Sequence, residues 1–340
     1  MTKKEVKQLE VVLQPQDAHK ALRKGSYQAG SVRTTAMAMD SRKTYILACR
    51  TRKERRERAF HGKPYPAISP SRPELSVKGQ TVLITGGATG IGLQTSIAFA
   101  QAGAGRIVLL ARSKDPMMKA NETIEADYPE TEVLTYAVSI TDSERVTEIV
   151  KGIGTLDILV LNAAVMNAPG PVLDIDPEDT LENFKVNVLG PLSLIKAFVS
   201  LPPRSADAPR TIIYTSSAGI QFVLPGTGAY NASKSAMTYL MRCIHEEHGE
   251  AGIRSFAFHP AFAYTDGAKS LGLQPDQFDY DSTDLPAHYA VWLCSAEAEF
   301  LRGRFVWARW DVEELQAKKE VIVNDPTQLR IALVQDKLME

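Results

Sequence analysis

From residue 78 onward the chain alternates short, unbroken apolar runs with helical stretches. The runs are Thr81–Ile84, Arg106–Leu110, Val133–Val138, Ile158–Leu161, Thr211–Tyr214, Ser255–Phe258 and Arg304–Trp307. A strand that is apolar at every position is covered on both faces, which is the condition of a parallel sheet. Parallel neighbours also need crossovers long enough to hold a helix. The pattern predicts one α/β domain over 78–311: a Rossmann-like, doubly wound parallel sheet of about seven strands flanked by helices. A helical tail over 312–340 is expected to pack on it.

The segment before this pattern is different in kind. The whole chain carries 39 Lys and Arg against 40 Asp and Glu, but 16 of the former and 6 of the latter fall in the first 65 residues. A basic arm thus precedes an acidic body. Residues 1–60 show no sustained period, so a solvated, disordered extension is expected. RNA or membrane-surface binding and an organellar presequence are the competing readings of its basic run, Arg50–Arg58. Glu5, Glu10 and Asp17 weigh against a presequence. The text PYPAISPSRP from Pro64 to Pro73 predicts an extended connector over 61–77, because each Pro keeps its predecessor out of the helical region.

Several classes drop out. No apolar run reaches the roughly 18 residues of a spanning helix, and the N-terminus lacks the apolar core of a signal peptide. Cys49, Cys243 and Cys294 are odd in number and far apart, which argues for a reducing, cytoplasmic setting. The even total charge gives no bias toward nucleic acid or membrane. Small molecules are the expected partners.

The first strand runs into Thr85-Gly-Gly-Ala-Thr-Gly-Ile-Gly92 and then a helix pattern. Gly86 permits the tight turn, Gly90 lets backbone approach a pyrophosphate, and Gly92 lets helix and strand pack closely. Thr89 and Ile91 sit between them, at a helix N-terminus whose amides and dipole suit phosphates. No Lys-Ser/Thr follows, which excludes a nucleotide-hydrolysing P-loop. The second strand ends in Ala111-Arg112-Ser113 where an acid would favour NAD. A guanidinium there suits a 2′-phosphate, so NADP is expected, with NAD as the alternative.

Tyr230-Asn-Ala-Ser-Lys234 places a phenol and an ammonium on one helix face at i, i+4. A free Tyr titrates near 10, too high for acid–base work at neutral pH. A unit charge about 4 Å away is worth at most about three pK units, so Lys234 is expected to draw Tyr230 toward neutrality. Ser217 ends the strand thirteen residues upstream, where a hydroxyl can bond a substrate oxygen as charge develops. Ser216 is the alternative, because the loop can present either. Asn162 follows the fourth strand, and Asn187 lies in Phe184–Gly190.

These motifs, in this order over about 78–310, resemble the short-chain dehydrogenase/reductase family. The resemblance implies a TGxxxGIG cofactor loop at Thr85–Gly92 and a strand-four motif at Leu161–Ala164 that keeps Asn162. It implies a catalytic Ser217, Tyr230 and Lys234, with Asn187 ordering a proton-relay water. Tyr230 and Lys234 would also touch the cofactor. The family's PGxxxT matches Pro260–Thr265, with Ala261 for the glycine. Thr265 would hold the nicotinamide carboxamide, with Ala263 beside it. Ser139 replaces the family's adenine-side Asp and bonds more weakly. Ala164 and Val165 replace a small glycine end. The ending Glu299–Asp311, with the PYPAISPSRPEL segment, resembles a fungal subgroup associated with secondary metabolism. A homodimer or homotetramer is expected.

Other candidates read as structural. His245 and His248 lack the order and the third ligand of a zinc site, so no metal is expected. His259 reads as a hydrogen-bonded structural residue, Trp292, Trp307 and Trp310 as core or oligomer-face residues, and Cys243 and Cys294 as ordinary buried thiols. The expected activity is NADP-dependent interconversion of a ketone and a secondary alcohol. The competing function is a non-catalytic dinucleotide sensor or scaffold, which has no need of the intact catalytic positions. The loop Gly267–Leu285, with Leu271, Leu273, Phe278 and Tyr280, is expected to line an apolar or aromatic-tolerant pocket.

Overall fold

The computed structural model describes residues 60–205, 208–270 and 272–332. Seven strands form one all-parallel sheet: β1 (Thr81–Thr85), β2 (Arg106–Ala111), β3 (Glu132–Ala137), β4 (Ile158–Leu161), β5 (Arg210–Thr215), β6 (Ile253–His259) and β7 (Phe305–Trp307). Their order is β3-β2-β1-β4-β5-β6-β7. The order reverses between β1 and β4, and the crevice at the carboxyl ends there is where such folds bind ligands. Every residue of β1, β4, β5 and β6 is buried, as the unbroken apolar runs require.

Helices cover both faces. They are α1 (Gly90–Gln101), α2 (Lys114–Asp127), α3 (Ser143–Ile153), α4 (Pro177–Phe184), α5 (Gly190–Ser200), α6 (Gly228–His248), α7 (Asp266–Ser270), α8 (Asp284–Leu293), α9 (Val312–Ala317) and α10 (Lys319–Asn324). α1 packs on α8, and α3 packs on α5. A π turn, Lys185–Leu189, joins α4 to α5. Several starts are capped by carboxylates: Asp142 accepts from the Arg145 amide at the head of α3, and Asp311 accepts from Glu314 at the head of α9.

Residues 61–77 differ from an extended connector. They make two 3-10 turns, Pro66–Ile68 and Pro73–Leu75, each opening on a proline. The residue before each, Tyr65 and Arg72, is extended as expected, but a proline already set near helical φ then starts a turn. The segment is docked rather than free. Ile68, Leu75 and Val77 join the core. The Tyr65 hydroxyl donates to the Trp310 carbonyl at 3.1 Å and accepts from the Val312 amide at 3.0 Å. Arg72 pairs with Glu297 at 2.6 Å.

At the other end, α9 and α10 bury Val312, Leu315 and Ile322. Trp292 and Trp307 are buried. Cys243 and Cys294 are free and half-buried, and burial pushes the Cys294 thiol up to about 12. The expectations for 1–59, including Cys49, and for the tail beyond 332 lie outside the described residues. Among the described residues no helix is long and apolar enough to cross a membrane.

Candidate active site

Two groups of residues meet at the carboxyl edge of the sheet. The first is backbone. β1 ends at Thr85, whose hydroxyl accepts from the Asn162 and Ala163 amides at 2.9 and 3.0 Å. The Asn162 side chain donates to the Thr85 carbonyl at 3.2 Å. Asn162 thus ties the end of β4 to the start of the glycine loop. Gly86 and Gly90 hold φ of 65° and 52°, the left-handed region that favours glycine. A Cβ on Gly92 would sit 2.0 Å from the Gly86 carbonyl oxygen, so loop and helix meet there with no room for a side chain.

Thr89 caps α1 in extended conformation without a side-chain bond. The first-turn amides of Gly90, Ile91 and Gly92 therefore point out of the helix as an anion cradle. Thr265 closes it from the β6 side, its methyl 3.4 Å from where a Gly90 Cβ would lie. The Thr265 hydroxyl accepts from the Ala268 amide at 3.3 Å. Ala263, buried, makes a bridge to Asp281. Arg112 stands exposed just past β2, with no ion pair among the described residues. Ser139, just past β3, shares a hydrogen bond with Thr141 at 2.8 Å. Free amides, a left-handed glycine turn and a cation at the β2 end fit a dinucleotide phosphate.

The second group is side chains. Ser217 follows β5; its hydroxyl accepts from the Gly219 amide at 3.1 Å and acts to lower the neighbouring Tyr230 phenol. Ser216 is turned away: its buried hydroxyl sits 2.6 Å from that of Thr238. Lys234 is buried one turn beyond Tyr230 and donates to the Thr215 carbonyl at 2.7 Å. Its ammonium lies 5.7 Å from the Tyr230 ring centroid. Asn187 sits fully buried in the π turn, a feature that recurs at functional sites. Its side chain exchanges two 2.9 Å hydrogen bonds with the Val165 backbone and donates to Ser233 at 3.0 Å. Ser233 in turn donates to the Tyr230 carbonyl at 2.7 Å. Ser217, Lys234 and, through Ser233, Asn187 therefore all neighbour Tyr230.

The electrostatics differ from expectation. Burial pushes Tyr230 up to about 12, and the Ser217 hydroxyl beside it only partly opposes this. Burial also pulls Lys234 down to about 7. Desolvation penalises both charged forms. Both shifts run against drawing the phenol toward neutrality in the cofactor-free protein.

Sequence reasoning missed several neighbours. Tyr214 on β5 is buried beside Lys234, its ring centroid 4.7 Å from the ammonium. Ser233 and Asn183 complete the Asn187 network. Nothing in the strand, which also carries Arg210, Thr211 and Thr215, marks Tyr214 as part of the site. His259 accepts from the Ala218 amide at 3.2 Å and packs edge-on against Trp307. Burial holds it near 3, so it stays neutral. Phe262, Tyr264, Phe278 and Tyr280 form a ring cluster with centroids 5.1 to 5.5 Å apart. Leu271 lies outside the described residues, and the Leu273 carbonyl accepts from Tyr264. Ala261, in the family's glycine position, takes φ of 87°. No metal-binding group of His, Cys, Asp and Glu occurs among the described residues, His245 and His248 included.

The short chain dehydrogenase family model matches residues 80–276. A short chain dehydrogenase/reductase of Claviceps purpurea is 37% identical over 279 residues, covering 82% of this chain and 94% of that protein. The short chain dehydrogenase/reductase AacuD of Aspergillus aculeatus is 36% identical over 275 residues, covering 81% and 95%. Both relatives are fungal, in keeping with the subgroup resemblance. Among solved structures, the L-sorbose reductase of Gluconobacter frateurii, complexed with NADPH and L-sorbose, aligns with a TM-score of 0.61 at 25% identity. It covers 69% of this chain and 96% of that one. A short-chain type dehydrogenase/reductase of Mycobacterium ulcerans aligns with a TM-score of 0.63 at 23% identity, covering 68% and 89%.

Proposed function

This chain belongs to the short chain dehydrogenase family, and from that premise we propose that it interconverts a ketone and a secondary alcohol with NADP(H). The observation that carries the reading is the convergence of Ser217, Lys234 and Asn187 on Tyr230, at the strand ends beside the glycine cradle. NADPH supplies the hydride when bound. The amides of Gly90, Ile91 and Gly92 would take its pyrophosphate. Arg112 would take the 2′-phosphate and Ser139 would bond near the adenine. Thr265 and Ala263 would hold the carboxamide, and Lys234 the ribose.

Ser217 donates to the substrate oxygen as it gains charge. Tyr230 gives that oxygen a proton from its phenol. A phenol held near 12 keeps its proton at neutral pH, which is the form carbonyl reduction needs. Lys234, when protonated, offsets the charge left on the phenolate. Asn187 holds the π turn and, through Ser233, the backbone of Tyr230 in register. The likeness to an NADPH-complexed L-sorbose reductase supports the cofactor reading. Relatives in Claviceps and Aspergillus support a role in fungal secondary metabolism; a small-molecule substrate, a cytoplasmic setting and a homodimer or homotetramer complete the reading.

The test is cofactor oxidation with a ketone panel, NADPH against NADH, in wild type and Arg112→Asp. A wild-type preference for NADPH of tenfold or more, about 1.4 kcal/mol, is expected to collapse or reverse in the variant. Equal kcat/KM for both cofactors in the wild type removes the NADP assignment. No oxidation of either cofactor with any ketone removes the reaction.

A further inference from the structure

We propose that Tyr214 is a positioning residue of this site: its ring face holds the Lys234 ammonium, and its phenol pins the Asn187 carbonyl. The proposal rests on the reading of Lys234 and Asn187 as parts of the catalytic group.

Tyr214 is fully buried on β5, and its hydroxyl donates to the Asn187 main-chain oxygen at 3.2 Å. Burial keeps that phenol protonated, a permanent donor. The bond ties the π turn to the central sheet. The same ring lies under Lys234, centroid to Nζ 4.7 Å, inside the range of a cation–π contact. One side chain thus touches two of the four groups from behind.

Lys234 needs such a partner. An ammonium has three N–H donors, and the one hydrogen bond shown goes to a neutral carbonyl, that of Thr215. No carboxylate pairs with it among the described residues. From β5 it faces Tyr214 and the Thr215 carbonyl, and from its own helix the Tyr230 ring at 5.7 Å. The Tyr230 ring is farther and belongs to the half-buried residue read as the proton donor. Tyr214 is nearer and desolvated, where a ring quadrupole acts most strongly on a cation. A core-filling role alone needs neither the phenol nor the face-on placement.

Two measurements on the cofactor-free protein test this without turnover. In the first, lysine labelled with 13C at Cε is titrated by NMR, with Lys234 assigned by its loss in Lys234→Arg. Tyr214→Phe keeps the ring and is expected to leave the Lys234 midpoint within about 0.3 pH unit. A 3,4,5-trifluorophenylalanine at position 214 keeps the shape but weakens the negative face. It is expected to lower the midpoint by about half to one pH unit relative to the phenylalanine variant, the scale of a desolvated cation–π contact. Equal midpoints for the two rings overturn the first half of the proposal. In the second, hydrogen exchange across residues 185–189 is expected to quicken about tenfold in Tyr214→Phe while β5 is unchanged. Unchanged exchange there overturns the second half. Both read Lys234 and the π turn directly, so they stand apart from any failure of the ketone assay.

Discussion

The glycine loop and the Tyr230–Lys234 face lie at the same edge of the sheet and are built by opposite means. At Gly86–Gly92 the functional groups are main-chain amides, and side chains are kept out by contacts such as the 2.0 Å from a Gly92 Cβ to the Gly86 oxygen. At Ser217, Tyr230, Lys234 and Asn187 the proposed functional groups are side chains, several of them held by buried hydrogen bonds. On the proposed reading, fold and cofactor binding are one property in the loop, so a substitution is expected to harm both. On the helix face they separate, because a phenol can be removed without moving the helix.

The sharpest separation is Tyr230→Phe. Turnover is expected to fall by at least about 10³-fold, some 4 kcal/mol of barrier. Affinity for NADPH, read by fluorescence titration, is expected within a few fold of wild type, and the melting temperature within a few degrees. Comparable turnover in this variant would remove Tyr230 from the chemistry.

The loop is expected to answer in the other currency. Gly92→Ala forces a methyl onto a backbone oxygen, which no side-chain rotation can relieve. A cost of about 3 kcal/mol is expected, or roughly 6–12 °C in melting temperature for a domain of this size. NADPH binding is expected to fall with it. A variant that melts normally but binds no NADPH would break the comparison, because the loop would then separate fold from function as the helix does.

That contrast also decides what was legible in the sequence. Backbone sites advertise themselves, since a left-handed turn and a close approach both demand glycine at fixed spacing. The strands were equally plain: the Ile158–Leu161 run is β4 to the residue, and the others shift by one or two positions. Side-chain sites were legible only where residue type and spacing coincide, as at Tyr230 and Lys234. Tyr214 was invisible because an aromatic in a buried strand is ordinarily core. The π turn was not foreseen, although Gly190-Pro191 just after it marks a place an ordinary helix avoids: Pro191 has no N–H for the Asn187 carbonyl. Docking of residues 61–77 depends on partners about 245 positions away, such as Tyr65 with Trp310, which no local pattern carries. The depressed charge of Lys234 was missed because spacing reports proximity and says nothing of desolvation.

Lys234 also gives the helix face a stability signature that the loop lacks. Its folded-state value is pulled down to about 7 from the ordinary 10.5 by burial. Between those values the unfolded chain binds more protons than the folded one, so stability rises with pH across that window. Tyr230, pushed up to about 12 from 10.0, works the other way, but only above about pH 10. From pH 7 to 10 the cofactor-free protein is therefore expected to gain a few degrees in melting temperature relative to Lys234→Met, measured side by side. Parallel melting curves for the two proteins over that range would show that Lys234 keeps its charge when folded.

The smallest expected effect lies at Ala261, where the β6 loop departs from the family's glycine. Its φ of 87° puts an L side chain in the left-handed region, at a cost of about 1–2 kcal/mol. Glycine would relieve that strain. It would also free the unfolded chain by about 0.4–1 kcal/mol and remove a methyl that is 6% exposed, worth up to about 0.8 kcal/mol. The three nearly cancel, so Ala261→Gly is expected to melt within about 3 °C of wild type and to keep its NADPH affinity. Gly92→Ala and Ala261→Gly then mark the two limits of backbone sensitivity around one site. At Gly92 a methyl meets an immovable oxygen, whereas at Ala261 the strain falls on a single φ and the methyl itself finds a buried place. A loss of more than about 2 kcal/mol in Ala261→Gly would mean that the methyl is a core contact and that the loop has repacked around alanine.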